Sequence, residues 1–231
     1  MKRKIVRLIA SGTLIFLLSF ATEATGTDWS IGGVAGYYSP NFGEINDFDE
    51  RYESWDIYGV DLTFKAGTIF GITAAYDISP NSRLRGEINS FAAEANDIGY
   101  WSSGPYGEVF DIDFQLTMTS LVFSGVYRFS PEEPLSPYVG AGVGQFSTKV
   151  KLIEERRSYE YGSLEDTYTT SVSQSDTPIG FQLLGGVEYS IENFLLVTEI
   201  KYTIAKADMA LFKTADLSGF SIILGALFKF F

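Results

Sequence analysis

From residue 29 onward, apolar and polar residues alternate with period two in segments of about ten residues, a strand pattern rather than a helical one. The clearest stretch is 179–191. Ile179, Phe181, Leu183, Gly185, Val187, Tyr189 and Ile191 share one face, and Gly180, Gln182, Leu184, Gly186, Glu188 and Ser190 share the other. Beyond Glu192-Asn193, Leu196, Thr198, Ile200, Tyr202 and Ile204 oppose Val197, Glu199, Lys201 and Thr203. The pattern predicts strands over 29–39, 68–79, 82–93, 114–129, 137–149, 178–191, 194–205 and 218–231. Their connections alternate strictly. Short ones fall at Pro80-Asn81, 130–136 and Glu192-Asn193; long polar ones at 40–67, 94–113, 150–177 and 206–217. Short turns at one end and long loops at the other predict an all-β fold: an eight-stranded antiparallel up-and-down transmembrane β-barrel with four long extracellular loops.

Which face is wet separates this reading from a soluble sandwich or a secreted lipocalin-type barrel. A soluble barrel buries its apolar face and exposes its charges; a membrane barrel inverts both. The strand charges mix signs, and Arg85, Glu87, Glu188, Glu199 and Lys201 are expected to pair across a narrow polar interior. Aromatics gather near strand ends, as in Gly71-Ile-Thr-Ala-Ala-Tyr76, Gly125-Val-Tyr-Arg-Phe129, Gly186-Val-Glu-Tyr189 and Gly225-Ala-Leu-Phe-Lys-Phe230. Tyr76, Tyr127, Tyr189, Tyr202, Phe228 and Phe230 are therefore the expected membrane-interface residues, since flat amphipathic rings suit the headgroup level. In 137–149 the spacing sets Gly140, Gly142 and Gly144 inward and Val139 and Val143 toward lipid. In 114–129 the phase breaks. Leu116 and Met118 oppose Leu121, Phe123 and Tyr127, which predicts either a bulge or a misplaced strand start. Within 40–67, Ile45, Phe48, Tyr52 and Trp55 have helical spacing, which fits a short amphipathic helix or an irregular loop equally well.

The N-terminus reads as an address. Lys2, Arg3, Lys4 and Arg7 precede an apolar run from 8 to 21 that is too short to span a bilayer as a helix but fits a secretory leader. The expected division is a signal peptide over 1–24, cut between 21 and 26, and a barrel over 25–231. The formal charge is −12, and cleavage would deepen it by removing four cations.

The chain has no His and no Cys. That removes imidazole general bases, Ser-His and Cys-His pairs, His-ligated metals, disulfides and thiol chemistry. No catalytic residue, metal or cofactor is expected. The acidity argues against a nucleic-acid partner. The acidic group Asp47, Asp49, Glu50 and Glu53 lacks the spacing and glycine of an EF-hand, so a solvated loop is the simpler reading. Glu154-Glu-Arg-Arg157 reads as a self-compensated patch.

The last strand alternates through Leu224, Ala226, Phe228 and Phe230 to Phe231. It is similar to the C-terminal signal read by the bacterial barrel-assembly machinery, although Lys229 sits where an aromatic is usual if Phe231 is the terminal residue read. With Pro137-Tyr-Val-Gly-Ala-Gly-Val-Gly144 and the strand-end repeats, the chain resembles the small eight-stranded outer-membrane β-barrel proteins of Gram-negative bacteria, the OmpX-like, OmpW-like and opacity-type surface proteins. The resemblance implies a monomer in the outer membrane. Its partners would be lipid and lipopolysaccharide, and the assembly machinery during biogenesis. It also implies a non-enzymatic surface, adhesion or envelope-integrity role, or alternatively a narrow path for a small or hydrophobic solute. Small-barrel acyl-chain enzymes depend on His, which is absent here, and no acidic pair stands out for glycoside hydrolysis.

Overall fold

A computed structural model describes residues 29–41, 57, 66–209 and 213–230. The leader, the 40–67 residues proposed as a helix or as an acidic loop, and Phe231 lie outside these residues. The strands are β1 (Trp29–Pro40), β2 (Gly67–Ser79), β3 (Ser82–Ser103), β4 (Tyr106–Arg128), β5 (Leu135–Glu160), β6 (Ser163–Asp176), β7 (Ile179–Ile191), β8 (Phe194–Ile204), β9 (Lys206–Met209), β10 (Lys213–Asp216) and β11 (Gly219–Phe230). Neighbours run β4-β3-β2-β1-β11-β8-β7-β5, and pairing of β4 with β5 closes the order into a ring of eight antiparallel strands. First and last strands meet from Trp29↔Phe230 to Pro40↔Gly219. Closure gives each of the eight strands a partner on both sides, which is how a sheet avoids a free edge in a bilayer.

The stretches 94–113 and 150–177, expected as loops, are largely sheet. β3 and β4 pair without interruption from Ser82↔Tyr127 to Ser103↔Tyr106 and turn at Gly104, whose φ is 60°. β5 runs on against β6 to a turn at Tyr161-Gly162, with φ of 48° and 82°. Alternation does not stop at residue 94; its sense changes. Ala93, Ala95, Phe110, Ile112 and Phe114 stay buried while the opposite face becomes Glu94, Asn96, Asp113 and Gln115. The outer face has passed from apolar to polar, and its polar content resembles a loop only when periodicity is ignored. The same continuity removes the expected bulge in β4. Leu116 and Met118 face inward with Val122, and Leu121 and Tyr127 face outward, on one unbroken register. The stretch 206–217 holds the small β9–β10 hairpin.

The inner space is divided by height. Near the short turns it is charged. Toward the long connections it is an apolar core that includes Phe91, Ile112, Phe114, Leu116, Met118 and Phe146.

Candidate functional site

Eight ionisable side chains point into the turn-proximal half and close into two rings. In the first, Arg83 lies 2.5 Å from Asp77 and 2.6 Å from Glu188, while Arg128 lies 3.0 Å from Asp77 and 3.3 Å from Glu188. In the second, Arg85 lies 3.0 Å from Glu87 and 2.6 Å from Glu199, while Lys201 lies 2.5 Å from Glu87 and 3.0 Å from Glu199. Every cation bridges two carboxylates and every carboxylate two cations, so each ring is neutral. Tyr138 Oη donates to Glu199 at 2.9 Å and Thr73 Oγ1 to Glu87 at 3.4 Å. Burying a charge is tolerable only when it is paired, and every charge here is paired, although Arg85 Nη2 and Arg128 Nε are buried without a hydrogen-bond acceptor among the described residues.

Period two builds the rings. Arg83, Arg85 and Glu87 are alternate residues of β3, and Glu199 and Lys201 of β8. The facing strand supplies glycine where space is short. A Cβ on Gly186 of β7 would come 2.8 Å from Tyr138 Oη, and one on Gly140 would come 2.9 Å from Leu184. Gly142 and Gly144 also turn inward against Ser124 and Val122, with Val139 and Val143 exposed outside. Between the rings a cavity of about 20 Å³ is bordered by Thr73, Arg85, Glu87, Tyr138 and Glu199, space for a single water.

Arg85, Glu87, Glu188, Glu199 and Lys201 are thus all buried and joined, with Glu188 in the ring apart from the other four. Asp77, Arg83, Arg128 and Tyr138 were not singled out. Strand parity carries the missing signal: Arg83 shares its face with Arg85, Arg128 with Ser124, and Tyr138 with Gly140. Above the rings, Phe114 and Ile112 are fully buried, Tyr38 meets Phe91 edge-on at 5.0 Å, and the Tyr38 hydroxyl donates to the Leu217 carbonyl.

The outer face is the inverse. Ile72, Ile222 and Leu224 are each 60% exposed, and Phe70, Ile88, Leu183 and Ile200 continue the band around the wall. Trp29–Tyr76, Tyr127–Phe129, Phe194–Phe228 and Phe228–Phe230 form close ring pairs near the short turns. Tyr189 is exposed beside them, whereas Tyr202 pairs with Phe220 toward the opposite end. Leu224, Ala226, Phe228 and Phe230 all face outward on β11.

Charges inside and aliphatics outside describe a wall surrounded by lipid. The sequence model of the outer membrane protein beta-barrel domain family matches residues 10–230. The chain belongs to that family. It is accordingly an outer-membrane β-barrel protein. Among solved structures, it is similar to Neisserial surface protein A at 17% identity and a TM-score of 0.46, covering 89% of this chain and 100% of that one. OprG from Pseudomonas aeruginosa matches at 15% identity and a TM-score of 0.48, covering 88% and 95%. Ail of Yersinia pestis matches at 18% identity and a TM-score of 0.43, covering 88% and 97%. No curated protein sequence matches the chain.

The extended wall also carries aromatics. Tyr100, Tyr106, Tyr161 and Tyr168 are exposed, while Trp101 packs against the apolar core. The 154–157 run compensates its charge across strands as well as along its own. Arg156 pairs with Glu108 of β4, and Arg157 reaches Asp111 at 3.4 Å and Glu155 at 3.4 Å.

Proposed function

We propose that this outer-membrane barrel is a closed, non-enzymatic anchor that holds a stiff, acidic, tyrosine-bearing sheet outside the cell for contact with other surfaces. The observation that carries it is the pair of interior seals, ion quartets below and a packed aromatic core above, beneath strands that continue well beyond the lipid band. From Phe91↔Met118 to Ser103↔Tyr106, β3 and β4 add about 40 Å of paired strand. The extension is not a flexible tether. It is sheet continuous with the wall, and β6 forms its open edge. In this reading the long connections face outward, lipid and lipopolysaccharide surround the band, the protein is a monomer, and the assembly machinery reads Leu224, Ala226, Phe228, Phe230 and Phe231.

Planar-bilayer recording tests the closed barrel, with no discrete conductance steps expected. Binding of intact expressing cells to host-cell or abiotic surfaces tests the display role. A variant trimmed at 96–113 and 154–169 should lose that binding while keeping heat-modifiable gel migration. Discrete steps, or undiminished binding by the trimmed barrel, would overturn the proposal.

One observation favours a second reading, lateral passage of a small hydrophobic solute. The β7–β8 ladder stops at Phe181↔Ile204, and above it an Asp208 N–H donating to Asp176 at 2.8 Å links β9 to β6. That seam lies beside buried Phe146, Ala207 and Met209. A disulfide between D176C and D208C should block uptake of an apolar probe if the seam is a route, and leave uptake unchanged if it is not.

A further inference from the structure

The inward face of the wall continues past the barrel mouth. Trp101 has the strand parity of buried Ala93 and Ala95, and Tyr106 and Glu108 have that of Phe110, Ile112 and Phe114. Arg156 has that of Val150 and Leu152. Pairing lines these positions up in rows across β3, β4, β5 and β6. Gly99, Phe110, Arg156 and Tyr168 make one row, and Trp101, Glu108, Ser158 and Asp166 the next. Tyr106 stands one row farther out, opposite Glu160. Three aromatic rings thus surround one guanidinium on a single face. Unlike the core beneath, this face is open to water: Tyr168 is 66% exposed, Tyr106 53% and the Arg156 side chain 47%. Trp101 is anchored against the core and still partly exposed.

Arg156 is held from two sides. Its guanidinium pairs with Glu108 and lies 5.6 Å from the centroid of the buried Phe110 ring. A guanidinium fixed in this way presents its remaining donors at little entropic cost, and the Glu108 carboxylate accepts beside it. Trp101 and Tyr168 are three strand spacings apart, about 14 Å across the sheet, so two stacking faces flank the polar pair. Flat rings with a few fixed donors and acceptors between them suit a sugar, which offers C–H faces to the rings and vicinal hydroxyls to the polar groups. Protein interfaces centre instead on a contiguous apolar cluster, and here the rings are separated by charge. Charge narrows the class further. Glu108, Glu154, Glu160 and Asp166 share the face with Arg156, its one cation among the described residues. A sulfate, a phosphate or a sialic-acid carboxylate would therefore meet a net negative potential.

We propose that Trp101, Tyr106 and Tyr168, set around Arg156 and Glu108, form a binding site for an uncharged oligosaccharide. The rings stack on sugar faces, while Arg156 donates to vicinal hydroxyls and Glu108 accepts from them. The site rests on the display role proposed above for its place outside the cell, and it gives that contact a chemical class.

The test applies the full barrel in neutral detergent to an array of immobilised oligosaccharides, one set uncharged and one sulfated or sialylated. Wild type should be retained by uncharged members, as should a Y100A control, which changes the opposite face of β3. W101A, Y168A and R156Q should each be retained about tenfold or more weakly. Heat-modifiable migration checks folding. Tyr168 and Arg156 are exposed, so Y168A and R156Q decide the matter even if W101A fails to fold. Retention by the sulfated or sialylated set alone, no retention by the uncharged set, or undiminished retention of both Y168A and R156Q would each overturn the assignment. The display role has its own readout in the adhesion of intact cells. Cells that adhere while the purified barrel ignores the array would sink the oligosaccharide site alone. A barrel that binds the array, on cells that do not adhere, would support the site and sink the display role.

Discussion

At the scale of single residues, the interior quartets behave as units because no member has a private partner. Lys201 touches both Glu87 and Glu199, so removing its charge leaves two carboxylates sharing Arg85 in a site where Glu87, Glu199 and Lys201 are each 2% exposed or less. Lys201→Met should therefore destabilise the barrel by about 3–5 kcal/mol, the cost typical of an uncompensated buried charge. Adding Glu87→Gln should recover part of that loss, because it restores neutrality to the ring. Urea unfolding in detergent, followed by gel migration, gives both values; additive losses would show that the ring is not a coupled unit. Gly186 offers a steric counterpart. A side chain there meets the Thr198 carbonyl of β8 first and the Tyr138 ring next, so Gly186→Val should strain the β7–β8 pairing as well as push Tyr138 from Glu199, and cost about 1–3 kcal/mol without altering any charge.

The strands carry one alternating code through two solvents, and the same substitution should cost differently along a single strand. Val139 lies inside the aliphatic run of β5, whereas Ser147 lies beyond it. Val139→Arg should cost about 2–4 kcal/mol and Ser147→Arg about 0–1 kcal/mol, following the depth dependence of charge on a lipid-facing strand. Equal costs would mean that the hydrocarbon boundary lies elsewhere. This code explains what the sequence made legible. Period two located the eight staves and their short turns, since Pro80-Asn81 and Glu192-Asn193 interrupt strong alternation. It failed at 94–113 and 150–177 because outward residues there are polar, and an apolar inner face such as Phe110, Ile112 and Phe114 is visible only if the phase is followed without asking which side is wet. The β4 irregularity had the same origin. Leu116 and Leu121 are both apolar for different reasons, one packed in the core and the other facing lipid. Of the interior charges, those in mid-strand were readable. Asp77, Arg83 and Arg128 were not, because a charge beside a turn looks solvated until the barrel closes over it.

For the whole molecule, the two interior layers act in series, and that arrangement predicts how the barrel can be opened. A path for ions must cross both the quartets and the aromatic core; widening either one alone leaves the other intact. Phe114→Ala with Phe146→Ala removes two fully or nearly fully buried rings from the upper layer yet leaves every ion pair below. Arg85→Ala with Glu199→Ala thins the lower layer and leaves Phe91, Phe114 and Phe146 packed. Both double variants should remain silent in planar bilayers. The quadruple variant should conduct in discrete steps, because an eight-stranded wall leaves an interior only as wide as the side chains filling it. Conductance from either double variant would show a single seal rather than two. A silent quadruple variant that still migrates as a folded barrel would place the remaining barrier in the untouched ring of Asp77, Arg83, Arg128 and Glu188 or in the part of the core that still packs around Phe91.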